Sequence, residues 1–142
     1  MRKEDIIKAS IIIMLALAMI SVTGCQTPVV SSIEITSPGH WDSLDGNGTY
    51  EIVWIWIGPI DTEVSIRIIG YSQSEEEIGA TLIDSSVLAT DESYTWGPNF
   101  GADILAHFQE DWPWWFKIQI ESLDDPTNGF SEFFSIHWDN NL

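Results

Sequence analysis

The chain predicts an all-β fold: an immunoglobulin-like two-sheet antiparallel β-sandwich of about seven strands, with one short helix between the late strands. Three observations predict it. Short stretches of alternating apolar and polar residues recur between Ser32 and His137, separated by clusters of Gly, Pro, Asn and Asp. These stretches are rich in β-branched and aromatic residues, which suit a pleated, half-buried surface. One segment, Ala102–Glu110, departs from the alternation and sets Ile104, Leu105 and Phe108 at helical spacing.

Ser32–Ser37 alternates and stops before Pro38-Gly39. Asp42–Gly48 reads as a turn, because Asp, Asn and Gly accommodate tight backbone conformations. Thr49–Ile57 is the strongest strand and is broken by Gly58-Pro59. Thr62–Ile69 alternates again, and a polar loop runs from Gly70 to Glu77. Ile78–Ser85 and Glu92–Trp96 are weaker strands. Trp114–Glu121 is strong, Asp124 to Gly129 turns, and Phe130–His137 closes the sheet.

Side chains two apart share a face. The inward sets are Tyr50, Ile52, Trp54 and Trp56; then Val64, Ile66 and Ile68; then Phe116, Ile118 and Ile120. Lys117, Gln119 and Glu121 point outward. Val53, Ile55 and Ile57 make the second face of their strand apolar as well. Either the Ala102–Glu110 helix covers that face, or it is an exposed adhesive patch.

The N-terminus has the parts of an export signal: Arg2, Lys3 and Lys8, then an apolar run of about 14 residues from Ala9 to Val22. The run is short for a membrane-spanning helix, which needs about 20. It leads into Val22-Thr23-Gly24-Cys25, which resembles a bacterial-type lipoprotein signal, and Cys25 is the only cysteine of the chain. The expected division is 1–24 signal peptide, 25–31 lipidated tether, 32–138 sandwich domain and 139–142 tail. Cys25 is the expected lipidation site. The expected location is a cell or outer membrane, with the domain facing the exterior or periplasm.

Beyond residue 24 there are two basic side chains, Arg67 and Lys117, against 20 acidic ones, a formal charge of −18. Such a surface argues against nucleic acid, whose phosphates need clustered cations. It also argues against docking on anionic head groups. Arg67 and Lys117 are expected to pair with carboxylates.

The order of motifs is Ile33-x-Ile35-x-Ser37-Pro38, Gly48-x-Tyr50-x-Ile52-x-Trp54, Val64-x-Ile66, Ser93-Tyr94-Thr95-Trp96, Phe116-x-Ile118-x-Ile120-x-Ser122 and Ser131-x-x-Phe134-x-Ile136. It resembles the N-terminal Ig-like domain of the yeast cell-wall synthesis and Ser/Thr-rich GPI-anchored wall protein family. The resemblance covers residues 32–136. It implies a β-sandwich without known catalytic machinery and, in fungi, a link to β-glucan wall assembly or the cell surface. Asn99 to Asp111 is longer than that family's usual connection, and the anchor expected here is N-terminal.

The chain has eight tryptophans. Trp54 and Trp96 fall at core positions of the resemblance. Trp41, Trp112, Trp115 and Trp138 are the candidate ligand-binding residues. Indole faces stack on the C–H bonds of sugars and anchor protein interfaces; equally, these rings can cover the open ends of a sandwich. The Asp42–Gly48 segment fails the EF-hand pattern, and His40, His107 and His137 lack zinc spacing, so no metal and no cofactor is expected. No nucleophile elbow, phosphate loop or dinucleotide fingerprint occurs. The expectation is a non-enzymatic lipoprotein whose domain meets a protein partner at the envelope. The alternative is a module binding cell-wall glycan through exposed tryptophans.

Overall fold

A computed structural model describes residues 30–108 and 111–138. Cys25, the leader, most of the tether and the 139–142 tail lie outside the described residues. Among the described residues, nine strands and one α-helix are formed. In chain order the strands are β1 (Ser32–Ser37), β2 (Ser43–Asp45), β3 (Tyr50–Ile57), β4 (Glu63–Tyr71), β5 (Glu77–Leu88), β6 (Ser93–Trp96), β7 (Trp115–Ser122), β8 (Asn128–Phe130) and β9 (Ser135–His137). The helix, α1, spans Phe100–His107.

The expected all-β sandwich is present. One sheet has the order β1-β3-β6 and the other β5-β4-β7-β8, each wholly antiparallel. The chain crosses between them after β3, after β5 and after β6, as an immunoglobulin-like connectivity requires. β2 and β9 form a separate parallel ribbon. β8 and β9 belong to one strand interrupted at residues 131–133, since Phe116 bridges Phe134 beyond β8. The interruption is stitched at Ser131, whose Oγ accepts the Ile118 N–H at 2.8 Å.

The alternation sorts the faces as read. Ile52, Trp54 and Trp56 are buried, as are Val64, Ile66 and Ile68 on β4 and Phe116, Ile118 and Ile120 on β7. Tyr50 is half-buried at the rim of the core. Trp54 lies fully inside, and its indole N–H donates to the Ala89 carbonyl at 2.9 Å, so a large ring is buried without a stranded polar atom. Trp56 does the same with the Pro59 carbonyl at 3.0 Å.

Several boundaries differ from the sequence reading. Ser43–Asp45 is a strand inside the expected turn, and only the Asp45–Gly48 part turns, with Asp45 Oδ1 accepting the Asn47 N–H at 3.0 Å. β5 is the longest strand, 12 residues, because pairing along β4 overrides its weaker local pattern. The helix begins two residues earlier than expected, following Asn99 in the left-handed conformation (φ 62°). Its buried Phe100 and Ile104 and the Phe108 that caps its C-terminus, spaced four apart, all join the central core. The helix therefore closes one end of the sandwich. It does not cover the outer face of β3: Ile55 and Ile57 are exposed. Among the described residues no carboxylate makes the expected ion pair with Arg67 or Lys117. Lys117 Nζ sits 4.3 Å from the Phe133 ring centre, and His40 Nδ1 lies 3.6 Å from a Glu132 carboxylate oxygen.

Trp96 and Phe100 stack with ring centres 4.1 Å apart, which fixes α1 to the β6 end. Truncating Phe100 to Ala is expected to cost about 3–5 kcal/mol, the usual loss for a fully buried Phe. Urea unfolding should show a lower midpoint at unchanged slope, whereas Leu105→Ala on the exposed side of the same helix should stay within about 0.5 kcal/mol of the parent.

Candidate functional site

The two ends of the sandwich are chemically different. β1 starts beside the end of β3, with Ser32 opposite Ile57, so the chain comes in at the end that carries the residue 58–62 turn. The Leu88–Asp91 turn and the Leu123–Thr127 turn share that end: Leu88 pairs with Glu63, and the Leu123 N–H donates to the Glu63 carbonyl at 3.0 Å. The other end carries α1, the Ser72–Glu76 turn and the Trp112–Trp114 segment leading into β7.

The four tryptophans singled out from the sequence do not form one platform. Trp41 and Trp115 meet edge to face, 4.6 Å between ring centres, on the outer side of the larger sheet. Phe133 stacks near Trp41 at 6.3 Å and meets Tyr71 at 5.1 Å. The Trp41 N–H donates to the Phe133 carbonyl at 2.8 Å. These rings and Lys117 cover the outer face of β4 and β7 at its Tyr71–Trp115 end, and Trp115 is half-buried in consequence.

Trp112 and Trp138 form the second group. With Leu105 and Ile136 they line a cleft of about 200 Å³. Trp138 is held against α1 because Gly101 approaches Gly46 closely. The Gly101 N–H donates to the Gly46 carbonyl at 2.9 Å, and a Cβ on Gly101 would stand 2.9 Å from the Trp138 ring.

The larger feature was missed by sequence reasoning. Ser72, Gln73, Ser74 and Ile78 face Asp111, Trp112 and Trp114 across an open groove of about 680 Å³. Trp114, more than half exposed, is its best-presented ring. The Trp114 backbone N–H donates to the Tyr71 carbonyl at 2.9 Å, which sets the Trp112–Trp114 segment beside the β4–β5 turn. That turn is ordered by the Ser72 Oγ–Ser74 Oγ contact at 3.0 Å and by the Glu76 N–H to Ser72 Oγ bond at 3.2 Å. The sequence signal was present in Trp112-Pro113-Trp114, but Trp114 read as the first residue of a strand. The groove joins two indole faces to hydroxyls, an amide and one carboxylate. That set suits a polar ring with an apolar face.

No group of three His, Cys, Asp or Glu side chains placed to hold a metal occurs among the described residues. Comparison with family models, with curated proteins and with solved structures gives no match. The class of the chain is therefore that of its fold, an all-β immunoglobulin-like sandwich with a helix closing one end.

Burial raises the Tyr71 phenol above its ordinary 10.0, and the Glu77 charge adds to the effect. Tyr94 moves the same way through burial, the Asp84 charge and a hydrogen bond to Asp84. A raised phenol stays neutral in the fold at pH values where the unfolded chain ionises. The contribution of these two phenols to stability should be level below about pH 10 and be lost as pH rises through the folded values. Absorbance titration at 295 nm should show both phenols ionising above free tyrosine. Glu77→Gln should lower Tyr71 only in part, since burial is the larger cause.

Proposed function

We propose that the protein is a non-enzymatic surface lipoprotein whose sandwich domain meets a protein partner at the cell envelope. In this reading residues 1–24 are removed on export and Cys25 carries the lipid. Residues 25–31 then tether the domain to a cell or outer membrane, facing the exterior or periplasm. No described helix is long and apolar enough to cross a membrane. The resemblance to the yeast wall family supports a contact role over a catalytic one.

The observation that carries the partner reading is the outer face of β3. Ile55 and Ile57 are exposed and Val53 is half-exposed on the middle strand of the smaller sheet, in a domain of formal charge −18. Uncovered aliphatic rows on so charged a surface mark contact faces. Two measurements test the proposal. Cys25→Ser should abolish incorporation of an alkyne fatty acid and move the protein from the membrane fraction to the soluble one; a wild-type chain found soluble refutes the anchor. A photo-crosslinking residue at position 55 should capture one discrete neighbour in cells, and Ile57→Lys should suppress it. Equal capture from position 85, on the exposed face of β5, refutes the patch.

The glycan reading has an observation of its own, the Trp112–Trp114 groove. It sets Trp114 beside the candidate Trp112, with Trp138 in the adjoining cleft, whereas Trp41 and Trp115 meet each other and Trp41 also stacks on Phe133. In affinity electrophoresis through neutral wall polysaccharide, Trp114→Ala should weaken retardation about tenfold, as loss of one anchoring ring does. Trp41→Ala should leave it unchanged. Absence of retardation in the wild-type chain refutes this reading.

A further inference from the structure

We infer that the end of the sandwich where the chain comes in rests on the surface of a lipid bilayer of low charge. The inference deepens the anchor reading and depends on it. Among the described residues the four most exposed aliphatic side chains are Ile60 (82%), Val30 (79%), Ile57 (59%) and Leu123 (52%). All four stand at this one end. Ile60 and Ile57 flank the turn after β3, Val30 leads into β1, and Leu123 follows β7 beside Glu63. Leu88, also exposed, lies across from Glu63 on β5. At the opposite end the exposed aliphatic chains are Ile78 and Leu105, at 41% and 40%, less exposed than these four and set among indoles and polar side chains.

The covalent chain says what lies against this end. Cys25 is five residues from Val30, an extended reach of about 18 Å at most. The nine residues of β4 hold the far end about 30 Å further off. A lipid on Cys25 therefore keeps the aliphatic end at the membrane surface at high effective concentration, where even a weak apolar contact is occupied. Interfacial attachment is made durable by two signals acting together, here the acyl chain and the aliphatic tip. The charges choose the lipid. Asp61, Glu63 and Asp91 are exposed at the same end, with no Lys or Arg among the described residues there, so anionic head groups are repelled and zwitterionic ones accepted.

The test uses the processed protein, purified from membranes with its lipid and reconstituted in phosphatidylcholine vesicles. Ile60→Cys and Gln73→Cys place an environment-sensitive dye at the two ends; both positions are exposed, so neither substitution disturbs the core. Head-group spin-labelled lipid should quench the dye at position 60 several-fold more than the dye at 73. Replacing half the lipid by phosphatidylglycerol should reduce that difference. Equal quenching at both positions overturns the inference. So does a dye at 60 that is shielded in proportion to protein concentration without quenching, which marks a second copy as the occupant. A quenching difference unmoved by phosphatidylglycerol overturns the choice of lipid. Wild-type protein should take up no dye, since its one thiol is occupied by the lipid. Dye on Cys25 in the wild type would instead overturn the anchor reading, a failure distinct from that of the tip.

Discussion

Adhesion between the two sheets by apolar packing, without a covalent link, is the constraint on which the structure depends. The only cysteine stands at position 25, ahead of the domain, so no disulfide can join the layers. The space between them is filled by large rings and branched chains instead: Trp54, Phe116, Phe134, Ile52, Ile66 and Ile118 are all fully buried. Close packing of this kind stabilises only if no polar group is stranded within it. Trp54 meets that condition through the Ala89 carbonyl, and no described buried side-chain nitrogen or oxygen lacks a partner. A sandwich has open ends, and α1 closes one of them with Phe100, Ile104 and Phe108.

The same constraint shapes the surface. Once rings fill the interior and α1 covers one end, the remaining apolar groups are distributed by position. Indoles gather where the β4–β5 turn meets the start of β7. Aliphatic chains gather where the tether joins. The outer face of β3 keeps its row of isoleucines because the helix that could have covered it is used to close the core. The acidic shell surrounds all three surfaces and repels phosphate-bearing partners. The aliphatic tip and the aromatic groove thus stand at opposite ends of the sandwich, with the isoleucine row on the outer face of β3.

Much of this was legible in the sequence because it is local. β1 matches its reading residue for residue, and the inward faces of β3, β4 and β7 follow from alternation of period two. What was missed depends on long-range register. β2 is three residues long, is flanked by turn formers, and is a strand only because β9, some 90 residues later, lies beside it. β5 looks weak by itself because half its residues face solvent at a sheet edge; its partner β4 sets its length. The groove is invisible locally, since it exists only because the Tyr71–Trp115 register sets the Ser72–Ser74 turn beside Trp112 and Trp114. The cluster of Trp41, Trp115 and Phe133 is likewise a product of tertiary contact.

The claim that one apolar core binds both sheets into a single block, holding the tether end and the aromatic end a fixed distance apart, has a direct test. Native-state hydrogen exchange should report the amides of Ile52 and Trp54 in the smaller sheet, and of Ile66 and Ile118 in the larger, as exchanging only through global unfolding, with one common free energy and one common denaturant dependence. If the amides of one sheet exchange through a lower-energy opening while the other remains protected, the sheets separate independently, and the account of a single packed block is wrong.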